Sequence, residues 1–206
     1  MSGAFPISSA KFGTFGIKSI QNTIISKTVS GKKLARQIDN QRFAFTVQIV
    51  TAKRSDVYGE LMAFIIKQRS QKENFTIIPP EIEDARGNES GTVLVNGVHA
   101  VGDTTIAMDA FAGDGAGRFK AGDFLKFASH SKVYMVVADA TSSSNASTVT
   151  IEPPLRTALT DDSSVTYDSV PFNVHLTSDA QEFATGQNDG DGNLLFSYEF
   201  DVIESL

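Results

Sequence analysis

Apolar and polar positions alternate most cleanly at two distant points of the chain. Phe43, Phe45, Val47 and Ile49 alternate with Ala44, Thr46 and Gln48, and Phe196, Tyr198, Phe200 and Val202 alternate with Ser197, Glu199 and Asp201. A period of two marks a strand with one buried face. A third such run is Phe172, Val174 and Leu176 with Asn173 and His175 between them. Only residues 55–70 show helical spacing, with Val57, Leu61, Phe64, Ile65 and Gln68 on one side. Ser55 or Asp56 is the expected cap of that helix, Asp56 and Glu60 suit its positive end, and Lys67, Arg69 and Lys72 suit its negative end. Asn74 is its expected stop. Phe75 to Ile78 reads as a short strand, which Pro79-Pro80 ends because neither proline can donate to a ladder.

Residues 81–170 change style. Short runs at 92–95, 104–108, 124–127, 133–138, 148–151 and 165–167 alternate with turn clusters such as Asn96-Gly97, Gly113 to Gly117 and Ser142 to Asn145. This spacing predicts a small β-barrel or sandwich. Residues 1–42 are small, polar and basic, with Gly13, Gly16 and Gly31 as breaks, and read as an extended arm with one or two short strands.

Two amphipathic strands in a 36-residue tail make no core by themselves, and the strand at 43–50 also needs partners. The economical arrangement is a discontinuous β domain of residues 1–80 plus 171–206, interrupted by an inserted β domain at 81–170.

Charge sharpens that division. Residues 1–80 carry 12 Lys+Arg and 4 Asp+Glu, residues 81–170 carry 6 and 13, and residues 171–206 carry 0 and 7. A basic front and an acidic rear suit complementary faces within one fold or between copies. The interface candidates are Lys32, Lys33, Arg36 and Arg42 on the basic side and Glu199 and Asp201 on the acidic side. Aromatic residues do not interleave with the basic cluster as a base-stacking surface requires.

The 206 residues include no Cys, which excludes disulfides, thiolate metal sites and cysteine catalysis. No apolar stretch approaches the roughly 18 residues that cross a bilayer, so no membrane partner is expected. The opening residues show no basic start followed by an apolar run, so no secretory leader is expected either.

Candidate chemistry thins out quickly. Asp189-Gly-Asp191-Gly-Asn193 opens like a calcium loop, but Leu194 stands where that loop needs glycine and Phe200 where it needs a bidentate acid. An acidic hairpin turn is the better reading. Gly113-x-Gly-x-Gly117 lacks both the dinucleotide spacing and a following helix, and is read as a flexible turn between strands. His99, His130 and His175 show no zinc-type spacing and no acidic partner at a fixed offset, and are expected at a surface or interface. There is no G-x-S-x-G elbow, and no spacing pairs the carboxylates as acid and base. No catalytic residue, metal or cofactor is assigned, and the chain is not expected to be an enzyme.

Two stretches together resemble the distal tail proteins and related tail-tip ring proteins of long-tailed bacteriophages. One is residues 30–80, SGKKLARQIDNQRFAFTVQIVTAKRSDVYGELMAFIIKQRSQKENFTIIPP, where a basic turn leads to an aromatic-rich strand, a helix with the Ala63-Phe64 pair, and a Phe-led strand closing at proline. The other is residues 119–177, with AGD before an apolar strand, then ADAT and IEPPLR in order. The closing FSYEFDVIESL is similar to the family's final strand. Many relatives carry Trp where this chain has Phe43.

The resemblance implies a mainly β fold: a tail-tube-type β-sandwich with one flanking helix, interrupted by a small inserted barrel. It implies a non-enzymatic virion protein, made in the host cytoplasm, that forms a ring at the distal end of the tail. The ring, a hexamer in the family, would join the tail tube protein to baseplate hub or tip proteins and leave a channel that DNA crosses without specific binding. A channel that passes DNA should not grip it, so Asp189 and Asp191 are the candidates to line it. The rival expectation is a tail-tip adhesin whose inserted domain binds a host glycan.

Overall fold

The computed structural model describes residues 3–7, 11–38 and 41–206. In chain order its strands are β1 (Phe12–Ile20), β2 (Thr23–Lys27), β3 (Lys33–Gln37), β4 (Arg42–Lys53), β5 (Phe75–Ile77), β6 (Leu94–Val95), β7 (Thr105–Asp109), β8 (Gly115–Phe119), β9 (Phe124–Phe127), β10 (Val133–Val136), β11 (Ala140–Ser142), β12 (Ser147–Glu152), β13 (Val165–Thr166), β14 (Phe172–Leu176), β15 (Phe183–Asn188) and β16 (Leu194–Glu204). A π-helical turn, Arg54–Tyr58, leads into the helix α1, Gly59–Lys67. The protein is mainly β with one short helix.

Two compact units are present, Pro6–Phe75 with Val174–Leu206, and Gly3–Phe5 with Thr76–Asn173. The first is built on a six-stranded sheet in the order β1-β4-β16-β14-β5, with β15 alongside β16. Register explains its two faces. Ile49, Val47 and Phe45 of β4 stand opposite Tyr198, Phe200 and Val202 of β16, and all six are buried. Each such side chain contributes about 1.5–3 kcal/mol by leaving water. On the reverse face Gln48 stands opposite Glu199 and Thr46 opposite Asp201.

The helix begins differently from expectation. Neither Ser55 nor Asp56 caps it: no side-chain bond is made at Lys53 or at Tyr58, and the Ser55 hydroxyl donates to Asp56 Oδ1 instead. The first turn is widened, with the Gly59 N–H donating to the Arg54 carbonyl. Glycine permits this, since a Cβ at Gly59 would lie 3.0 Å from that carbonyl oxygen. Val57, Tyr58, Leu61 and Ile65 are buried, and the Tyr58 hydroxyl donates to the Val50 carbonyl at 3.0 Å. The helix ends at Lys67, well before Asn74, where Arg69 and Ser70 take positive φ.

The first 38 residues are more regular than their composition suggests. β1 pairs along the length of β4, from Phe12 opposite Ile49 to Ile20 opposite Arg42. β2 and β3 form an antiparallel ribbon closed by the turn at Thr28–Lys32, where Gly31 takes a φ of +79°. Asp39 and Asn40 lie outside the described residues.

The second unit is a six-stranded sheet in the order β13-β9-β10-β12-β7-β6. A bridge between Leu94 and Ser164 brings its two ends together, so the sheet is nearly a closed barrel. Val95, Ile106, Met108, Leu125, Phe127, Tyr134, Val149 and Ile151 fill its interior. The Gly113–Gly117 stretch is a correction to the sequence reading. It is no free turn, because Gly115 to Phe119 form β8 against β11, and the positive φ at Gly115 and Gly117 is tolerated because both are glycine.

Candidate assembly surfaces

The first surface is the polar face of the first unit's sheet. Three strands meet there in register: β1 supplies Thr14 and Lys18, β4 supplies Thr46 and Gln48, and β16 supplies Glu199 and Asp201. Thr14 Oγ1 donates to Gln48 Oε1 at 3.0 Å, Lys18 Nζ donates to Thr46 Oγ1 at 3.2 Å, and Thr46 Oγ1 donates to Asp201 Oδ1 at 2.5 Å. Hydrogen bonds between these side chains link the three strands across this face. Glu199 and Asp201 are exposed on it, in the middle of the sheet rather than along an edge.

The second surface is the β2–β3 ribbon, every residue of which is exposed. Lys32 sits in its turn, and Lys33 and Arg36 lie on β3. Ile24, Leu34 and Ile38 are each more than half exposed beside these cations. A ribbon of two strands gains little stability from itself. None of the ion pairs among the described residues joins Lys32, Lys33 or Arg36 to an acid.

Arg42 stands apart from the ribbon. It opens β4 opposite Ile20, is half-buried, and its charge lies close enough to His175 to disfavour a proton there. The four basic candidates therefore fall on two separate elements.

Asp189 and Asp191 occupy the hairpin turn between β15 and β16, as the acidic-turn reading expects. Asp189 is fully engaged. Its carboxylate meets Lys53 Nζ at 2.6 Å, accepts from Asn193 Nδ2, and accepts the N–H groups of Asp191 and Asn193. The hydrogen bond from Lys53 and then that from Asn193 hold its pKa far below the usual carboxylate range. Asp191 remains exposed. Beside this turn an open groove of about 780 Å3 is lined by Lys53, Arg54, Ser55, Gly192, Leu194 and Phe196.

Of the three histidines, only His130 departs from the expected surface or interface position. His130 is buried, with Nδ1 at 2.9 Å from the Tyr134 hydroxyl, and burial pushes its pKa down. His175 is half-buried beside Ser205 at 2.7 Å, and burial, then Arg42, lowers its pKa. His99 accepts the Ala107 N–H and has Asp103, four residues on, at 3.8 Å.

Sequence reasoning also missed two buried carboxylates of the barrel. Glu89 Oε1 accepts the N–H groups of Gly91 and Ala112 at 2.7 and 2.8 Å, with Arg118 at 3.7 Å from its other oxygen. Asp123 accepts those of Arg86 and Lys120 at 2.9 and 2.7 Å. Both fasten loops to the barrel. No group of three His, Asp or Glu among the described residues is placed to hold a metal ion. No helix among them is long and apolar enough to cross a membrane.

A mainly β chain with one short helix and a nearly closed barrel-like sheet is the class these observations define. Residues 82–170 match the family model described as Distal tail protein pb9, B domain. That segment lies within the second unit, and the match supports a phage distal tail protein with a structural role in the tail. No curated protein matches the chain.

Proposed function

We propose that the chain is a non-catalytic ring subunit at the distal end of a phage tail. It connects the tail tube to the baseplate or tip and leaves a channel for DNA. Residues 1–80 with 171–206 form the ring in this proposal, and residues 81–170 are the inserted domain.

The observation that carries the proposal is the two-faced sheet. One face is buried, and the other is a polar plane bearing Thr14, Thr46, Gln48, Glu199 and Asp201. In the sheet order β1 is terminal, and β15 pairs only with β16 among the described strands. Exposed edges of this kind add strands from another copy. Head-to-tail contacts of unlike surfaces close into a ring when the rotation permits, and the family resemblance sets the expected copy number at six. The β2–β3 ribbon reaches the neighbouring subunit, covering Ile24, Leu34 and Ile38 and setting Lys33 and Arg36 against acidic side chains. Burial of those apolar residues supplies the affinity, and the charges supply orientation and rate.

The channel is lined by the polar plane. Its carboxylates repel phosphates, so DNA passes without being held. Glu199 and Asp201 thus move from interface candidates to lining, while Asp189, already neutralised by Lys53, contributes less to it than Asp191. The glycan-binding alternative draws no support from the barrel, whose rings Phe119, Phe127 and Tyr134 are buried in its core. Native mass measurement of the purified chain tests the proposal. A discrete closed oligomer is expected, and a monomer at every concentration would refute it.

A further inference from the structure

The turn after β6 carries the sole Asn–Gly pair of the chain, Asn96-Gly97. Asn96 is exposed, Gly97 takes a φ of +85°, and a Cβ at Gly97 would meet nothing within 4 Å. Residue 97 therefore puts no side chain in the way of a five-membered imide ring closing at its nitrogen. We propose that Asn96 is a deamidation site and that the Asp161 carboxylate holds it dormant.

In the reaction the Gly97 nitrogen loses its proton to solvent base and attacks the side-chain carbonyl carbon of Asn96. The bond from that carbon to the side-chain nitrogen breaks, and ammonia leaves with the proton returned from solvent. Water then opens the imide at one of its two carbonyls, giving aspartate or isoaspartate. The net change is the loss of one ammonia and the gain of one water, with no oxidation.

The nucleophile is the group that Asp161 occupies. The Gly97 N–H donates to Asp161 Oδ1 at 2.6 Å. Removing that proton leaves a negative nitrogen against a carboxylate, which like-charge repulsion opposes. The backbone around it is also pinned: Asn96 N–H donates to the Ala107 carbonyl, Val95 N–H to Ser163 and Asp162 N–H to Val95, each at 2.9 Å. Asp161 is therefore a positioning residue that acts through the amide it holds. Conversion would add a negative charge next to Asp161 and Asp162 and, as isoaspartate, an extra backbone methylene before β7.

The test incubates the full chain in mildly alkaline buffer and follows residue 96 by peptide mass mapping and isoaspartate detection. Wild type is compared with Asp161→Asn, which keeps a neutral acceptor, and with Asp161→Ala, which keeps none. The expected order of rates is Ala, then Asn, then wild type, spanning roughly tenfold, the worth of one hydrogen bond to a charged group. Adding Gly97→Ala to Asp161→Ala should slow the conversion again. Should Asp161→Ala not fold, the order of wild type and Asp161→Asn decides. Equal rates overturn the proposal, and slower conversion in the variants overturns it by making Asp161 the base.

Discussion

Thr46 and Asp201 are 155 positions apart in the chain, and their side chains meet at 2.5 Å across β4 and β16. The contact lies on the polar face of the sheet, directly behind the buried pairing of Phe45 with Val202 and Val47 with Phe200. Thr46→Val removes the donor while keeping a β-branched side chain. The expected loss is about 1 kcal/mol in urea unfolding, the ordinary worth of a hydrogen bond. Unchanged stability would show that the two side chains are held by water equally well.

Phe45 is the test of the buried face. It is fully buried in β4, and Phe45→Ala should cost about 3–5 kcal/mol by leaving a cavity. Limited proteolysis of this variant should degrade β4 and β16 together. Cleavage of one with the other protected would contradict their shared core.

The ribbon should matter for assembly and not for the subunit. Ile24 and Leu34 are exposed, so the double change Ile24→Lys with Leu34→Lys should leave the melting temperature of the subunit within a few degrees. Oligomer formation in native mass measurement should be lost. A full oligomer in the double variant would remove the ribbon from the interface.

Two pH responses follow from burial and pairing. For His130 the folded pKa lies below the unfolded value of 6.5 because burial disfavours the charged ring. The unfolded chain therefore takes the proton first, so this stability is present above about pH 6.5 and declines as pH falls through it. Melts at about pH 8 and about pH 5 should differ more in wild type than in His130→Asn. Equal differences would mean that the ring is solvated.

For Asp189 the folded pKa lies below the ordinary 3.8, so its contribution is present above that value and is lost as pH falls further. Lys53→Met removes the largest cause of the shift. In an NMR titration the Asp189 carboxyl should move up towards 3.8. No movement would assign the shift to Asn193 and the turn amides.

The strands with clean alternation were legible because one face of each is buried and the other solvated. Phe43 to Ile49 and Phe196 to Val202 lie inside β4 and β16, and the 124–127 run coincides with β9. The arm of residues 1–42 was expected to hold one or two short strands, but β1 could not be placed within it because it is mostly exposed, so Thr14, Gly16 and Lys18 alternate with too few buried residues to show a period. β15 was missed for the same reason. The widened turn before α1 depends on a close approach of backbone at Gly59, which no periodicity encodes. Among the candidate residues, Asp189 and Asp191 fell on the turn that the glycines around them mark. The placement of Glu199 and Asp201 on a central strand came from strand order, which depends on contacts far apart in the chain.

In the proposed assembly the polar plane of the sheet faces the hole of a closed ring. Electron microscopy of the purified chain, carried to a reconstruction that resolves strands, tests it most directly. The predicted result is a ring with Thr46, Gln48, Glu199 and Asp201 turned to the hole. A ring with that plane turned outward, or particles with no hole, would contradict it.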